Sequence, residues 1–142
     1  MEKIATQIDV AAAPQKVLEA ITTTRGHQGW WTTDCQVGRA PGERAEFHFN
    51  KDSPMGFTFR IDRSDERGVE WTCVAHENSP EWLDTRLAIR LAPAGNGTHV
   101  ELEHTGWRAR TPLYDMCTGG WQHFMQSLKA YVETGVGTPF GK

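Results

Sequence analysis

The sequence has 142 residues, with 15 Lys plus Arg against 18 Asp plus Glu, a net charge of −3 with histidines neutral. A chain of this length buries about two-thirds of its unfolded surface and needs no metal or disulfide to hold a core. Its mild acidity without a basic run excludes an electrostatic nucleic-acid binder. No stretch approaches the roughly 18 consecutive apolar residues of a membrane span, and the first residues alternate where a signal peptide would be apolar. The expectation is one domain over residues 1–142, cytoplasmic and without a membrane partner. Cys35, Cys73 and Cys117 are odd in number, widely spaced and free of any CxxC pairing, which fits reduced thiols better than a disulfide framework. The compositional oddity is six tryptophans, each able to bury more area than most side chains.

Ile4, Thr6, Ile8 and Val10 alternate with Lys3, Ala5, Gln7 and Asp9, predicting a half-buried strand over residues 3–10. Pro14 suits the first turn of a short helix with Val17, Leu18 and Ile21 as its apolar stripe, stopping at Thr22-Thr23-Thr24. A second short helix is expected over residues 25–31, then a loop from Val37 to Glu43. Ala45, Phe47 and Phe49 alternate into turn chemistry at residues 51–54, and Met55, Phe57, Phe59 and Ile61 alternate out of it, a predicted hairpin. Val69, Trp71, Cys73 and Ala75 form the next strand, and Thr85, Leu87, Ile89 and Leu91 the one after. In the last strand Val100 and Leu102 face one way, His99, Glu101 and Glu103 the other, and parity puts His104 on the apolar side.

Thr111-Pro112 predicts a helix start, with Thr as N-cap. Leu113, Cys117, Gly120, Trp121, Phe124, Leu128 and Tyr131 recur at three- and four-residue spacing, so one wide apolar stripe runs until Gly135 ends the helix. Gly119 and Gly120 each cost such a helix about 1 kcal/mol against Ala. Gly120 lies on the stripe, where it either permits close approach or leaves room. The order predicts an α+β fold: one curved antiparallel sheet of about six strands wrapped around a long C-terminal helix, with two short helices after the first strand.

Several stretches carry a resemblance: residues 8–14 leading into the first helix, Gly29-Trp30-Trp31-Thr32, Val69-Glu70-Trp71-Thr72-Cys73 and Glu81-Trp82 with Asp84-Thr85. His104-Thr105-Gly106-Trp107 and the segment from Trp121 through Ser127-Leu128-Lys129 to Glu133-Thr134-Gly135 complete it. In this order and spacing the chain resembles the SRPBCC (START-like, Bet v 1-like) superfamily in its activator of Hsp90 ATPase-like branch. The resemblance implies the helix-grip fold and leaves the chemistry open, since the superfamily holds lipid carriers, hormone receptors and polyketide cyclases.

A sheet gripping a helix encloses an interior, and the side chains expected to line it are Trp31, Phe47, Phe57, Phe59, Trp71, Cys73, Leu87, His104, Trp107, Cys117, Trp121 and Phe124. Trp71 and Trp121 are expected to face each other across it, with Trp30, Trp31, Trp82 and Trp107 near a mouth. Such walls describe a small-molecule pocket or a filled core equally well. His104 is the one weak catalytic candidate, an acid or base on the cavity side, against a purely structural histidine. Cys73 and Cys117 read more readily as inert buried thiols than as reactive ones. His99, Glu101 and Glu103 share a strand face but span roughly 13 Å, too far for one ion, so no metal is expected. The tail Gly137-Thr138-Pro139-Phe140-Gly141-Lys142 lacks the spacing of a phosphate loop, and no cofactor motif occurs.

Three functions follow. The leading one is a binding protein for a small hydrophobic or amphipathic molecule held between sheet and C-terminal helix. The alternatives are an enzyme of cyclase or hydrolase type using His104, and a chaperone-associated interaction domain, for which the chain carries no separate motif. A homodimer is compatible with all three.

Overall fold

A computed structural model describes residues 2–141. Strand β1 (Glu2–Val10) buries Ile4, Ile8 and Val10, as its alternation requires. Helix α1 (Pro14–Thr22) starts on its proline and buries Val17, Ala20 and Ile21. Thr23 then breaks the helix in extended conformation, and its hydroxyl accepts from Gly26 N at 2.9 Å to cap α2 (Thr24–Trp30). Strands β2 (Asp34–Val37), β3 (Arg44–His48), β4 (Gly56–Asp65) and β5 (Gly68–Glu77) follow. A 3₁₀ turn at Pro80–Trp82 leads into β6 (Arg86–Ala94) and β7 (Gly97–Trp107). The chain ends in α3 (Pro112–Thr134), capped by the Thr111 hydroxyl at one end and by Gly135, in the left-handed region at φ 88°, at the other.

The seven strands form one antiparallel sheet in the order β1-β7-β6-β5-β4-β3-β2. That is one strand more than the expected six. The addition is β2, four residues of which only Cys35 is buried, too short to announce itself by alternation. β2 holds its place by pairing with β3 and by donating Val37 N to Thr24 Oγ1 at 2.9 Å. Register shifts within β4 break the ladder at Thr58/Phe59 and Ile61/Arg63, the device by which a sheet bends.

Helix α3 lies along the free edge of β1. Tyr114 Oη donates to Lys3 O at 2.6 Å, Lys129 Nζ donates to Asp9 O, and Ala11 N donates to Glu133 Oε2 at 2.7 Å. The helix therefore occupies backbone groups that an edge strand would otherwise offer to another chain.

Two expectations about the tryptophans are corrected in part. Trp31 and Trp82, 2% and 4% exposed, border an open pocket, whereas Trp30 and Trp107, at most 1% exposed, are packed in the core and reach no mouth. The ends of α2, β7 and the 3₁₀ turn fold inward, so element ends meet in the core. Trp71 and Trp121 do not face each other: Trp71 packs on His27, Phe47 and Phe59, whereas Trp121 packs on Trp31 at 5.0 Å between centroids.

Candidate functional site

An open pocket of about 230 Å³ lies between α3 and the β3–β4 end of the sheet. Helix α3 supplies Leu113, Met116, Cys117, Gly120, Trp121 and Phe124, which its 3.6-residue period places on one face. The β3–β4 hairpin contributes Phe49, Met55 and Phe57, the end of α2 Trp31, and the 3₁₀ turn Trp82. Phe140 completes the lining from the C-terminal tail, which crosses the end of α2 on two backbone bonds, Phe140 N to Trp31 O at 2.8 Å and Thr33 N to Phe140 O at 3.1 Å. The crossing is tight: a Cβ at Gly137 would sit 2.4 Å from Gly29 O. Among the described residues no charged side chain lines the pocket, and the polar groups of its walls are the Cys117 thiol and the indole N–H groups.

Of the twelve residues expected to line the interior, Trp31, Phe57, Cys117, Trp121 and Phe124 meet at this pocket. Phe47, Phe59, Trp71, Cys73, Leu87, His104 and Trp107 are instead packed in the core, each at most 1% exposed. Phe49, Met55, Leu113, Met116 and Phe140 were absent from the expected set. The alternation of Phe49 and Met55 and the helical spacing of Leu113 carried a signal; Phe140, in an irregular tail, carried none.

His104 sits behind the pocket wall. Trp121 Nε1, which can only donate, gives its hydrogen to His104 Nδ1 at 3.1 Å. That leaves the proton of the neutral ring on Nε2, which donates to Thr85 Oγ1 at 2.9 Å, and Thr85 in turn donates to Trp82 O at 2.6 Å. The chain of bonds joins Trp121 to the backbone of Trp82, two of the pocket's tryptophans, through a histidine whose nitrogens are both engaged. Burial pushes the His104 pKa down to about 3. This arrangement supports the structural reading of His104 and supplies neither a free nitrogen nor an orienting carboxylate for acid–base work.

A second buried histidine, His27, went unmarked in the sequence because it lies in the polar-looking stretch before Gly29-Trp30-Trp31. Its Nε2 donates to Ile21 O at 2.9 Å and its Nδ1 has no partner among the described residues. Trp30, Phe47 and Trp71 surround the ring at centroid distances of 4.9, 5.0 and 5.4 Å, and burial holds its pKa near 4.

The thiols are chemically quiet. Burial raises Cys35, Cys73 and Cys117 to about 11 each, so none is an appreciable thiolate at neutral pH. At Cys117 the indole N–H of Trp82 acts the other way and is outweighed. That N–H is buried and makes no hydrogen bond of normal geometry. On the outer face His99 bonds Asp9 at 2.8 Å and lies 3.3 Å from Glu101, while Glu103 is paired with Lys3 and Arg90. These groups form an ion-pair ladder across neighbouring strands.

The profile of the family described as Activator of Hsp90 ATPase homolog 1-like protein matches residues 11–133. The chain belongs to this family. Among solved structures, the Aha1 dimer from Colwellia psychrerythraea is 30% identical, with 96% of this chain and 100% of that one covered and a TM-score of 0.85. A Mesorhizobium loti protein at 19% identity (90% and 94% covered, TM-score 0.78) and an AHSA1-like protein from Aeromonas hydrophila at 18% identity (94% and 94%, TM-score 0.74) share the fold. A search of curated protein sequences finds no match. As the resemblance implied, the family's α+β architecture is present throughout, with two short helices after β1 and the long helix last. No helix among the described residues is long and apolar enough to cross a membrane.

Proposed function

We propose that this family member binds a small, uncharged, predominantly aromatic molecule in the pocket between α3 and the β3–β4 hairpin. The observation that carries the reading is an open 230 Å³ space walled by seven aromatic side chains and, among the described residues, no charged one. Small-molecule sites are concave and mostly apolar, and this one falls just below their usual range of about 300–1,000 Å³, which favours a compact ligand. The three free thiols fit a reducing compartment such as the cytoplasm. An enzyme centred on His104 is disfavoured, because both nitrogens of that ring are committed to the wall. Trp31, Trp82 and Trp121 line the space, so their fluorescence reports occupancy directly. A panel of lipids, aromatics and polyketide-like compounds should give saturable quenching and a raised melting temperature for compact aromatics. Flat responses throughout would remove the proposal.

The family match favours a second reading, in which the protein associates with an Hsp90-type chaperone. Dimerisation, as the description of the Colwellia protein states for that chain, belongs with it. Stimulation of a purified bacterial Hsp90 ATPase, with sedimentation of the free protein, tests it. Absence of both binding and stimulation would discard the chaperone, and a monomer at micromolar concentration the dimer.

A further inference from the structure

One of the residues that α3 contributes to the pocket lining has no side chain. Leu113, Met116, Cys117, Trp121 and Phe124 all project bulk from the wall-forming stripe, and near its centre stands Gly120. Neither space nor backbone explains that glycine. A Cβ built on it meets no atom within 4 Å, and the residue is ordinary α-helix rather than a turn of positive φ. Glycine inside a helix lowers stability relative to alanine. The position therefore gives up stability and gains no contact among the described residues in return. Gly119 is equally uncrowded but exposed and outside the pocket lining, which makes it a control one residue away.

Resting on the ligand-binding reading, we infer that Gly120 determines which ligands the pocket accepts: the space of its missing side chain receives the edge of a flat, uncharged aromatic ring system. At roughly 30 Å³ per water volume the pocket equals about eight waters, room for on the order of ten heavy atoms. Two fused rings fit this capacity. A side chain at position 120 projects into the same space and competes with the ligand for it.

The experiment titrates the full-length protein and its Gly119→Ala, Gly120→Ala and Gly120→Leu variants with naphthalene, read by tryptophan fluorescence, with xenon as a second probe of apolar space. Both alanine variants are expected to melt about 3 °C higher. Gly119→Ala should bind naphthalene as the parent does. Gly120→Leu should bind it about tenfold more weakly or worse, because filling an occupied site costs at least a decade of affinity. Gly120→Ala should lose about threefold, which keeps the test decisive if the leucine variant does not fold. Equal naphthalene affinity in the parent and a folded Gly120 variant overturns this inference and leaves the ligand-binding reading standing. A parent that binds neither naphthalene nor xenon overturns both.

Discussion

Two aromatic regions built from the same residue types end in opposite states. Around His27, the side chains of Trp30, Phe47, Phe59 and Trp71 are at most 1% exposed and pack on one another, with Trp71 5.6 Å from both Phe47 and Phe59 between ring centroids. Beyond Trp31, which packs on both Phe47 and Trp121, the side chains of Phe49, Phe57, Trp82, Trp121 and Phe124 leave 230 Å³ unfilled. Composition does not separate the two regions; the covering elements do. Helix α2 presses His27 and Trp30 into the first region and sets Trp31, at its end, between the two, whereas α3 presents Gly120 to the second and the remaining cover is a tail held across α2 by two backbone hydrogen bonds. Space in a protein interior is set by what each inward position of the cover carries.

The same truncation in the two regions breaks the comparison most directly. Phe47→Ala is expected to cost about 3–5 kcal/mol, since rigid neighbours on every side cannot collapse into the hole. Phe124→Ala, half-buried beside existing free space, should cost about 1 kcal/mol. Urea denaturation of the two variants measures both. Equal losses would mean that the pocket is closed in solution and that the contrast is lost.

Acid separates the regions from the solvent-facing sheet. An unfolded histidine takes up a proton below about 6.5, whereas folded His27 and His104 resist until about 4 and about 3. The unfolded state therefore binds more protons in that window. Stability is fully present above pH 6.5 and is lost as pH falls toward 4, by about 3 kcal/mol for His27 alone. Urea midpoints at pH 7.5 and 4.5 test the sign, and an unchanged midpoint would show that neither ring is buried neutral.

The hydrogen-bonded strut behind the pocket predicts a smaller effect. Trp121→Phe keeps an aromatic wall but removes the indole N–H that donates to His104 Nδ1. Leaving that buried acceptor unpaired should cost about 2 kcal/mol, and the ¹⁵N shift of Nδ1 should move away from its hydrogen-bonded value. A loss confined to denaturation with no change in that shift would assign the cost to packing instead.

Much of this arrangement was legible in the sequence, and the remainder divides along physical lines. Alternation placed Ile4, Ile8, Val10, Val100 and Leu102 inward, and parity put His104 beside them, because side-chain direction in a strand follows from its period of two. The same parity could not say whether Phe47 or Phe57 borders empty space, since that depends on the opposing layer. The strand β2 escaped because four residues with one buried side chain carry no period. Phe140 reaches the pocket through contacts distant in sequence, backbone bonds to Trp31 and Thr33 and ring packing on Phe49. Gly120 was visible as a costly residue on an apolar stripe; whether it allows close approach or leaves room is set by the layer opposite, which meets a Cβ there nowhere within 4 Å.

The outer face yields the smallest effect and one of opposite sign. His99 donates toward Asp9 at 2.8 Å and lies 3.3 Å from Glu101, and these carboxylates raise its pKa above the ordinary 6.5, hydrogen bonding to Asp9 contributing most. Here the folded state binds the proton more tightly than the unfolded one. The stabilising contribution is complete below pH 6.5 and disappears as pH rises through the raised value, whereas the buried histidines are stabilising on the alkaline side. Both partners are exposed enough for salt to screen the pair, so the effect is small and should shrink further in high salt. The pair joins β1 to β7 at the register Asp9↔His99, and its loss should show locally as faster amide exchange in the last residues of β1 when pH is raised from 6 to 8. After correction for the intrinsic pH dependence of exchange, His99→Gln should abolish that difference and leave the acid sensitivity of the core unchanged. If the substitution also removed the acid transition, the outer ladder and the sealed core would be one titrating unit rather than two.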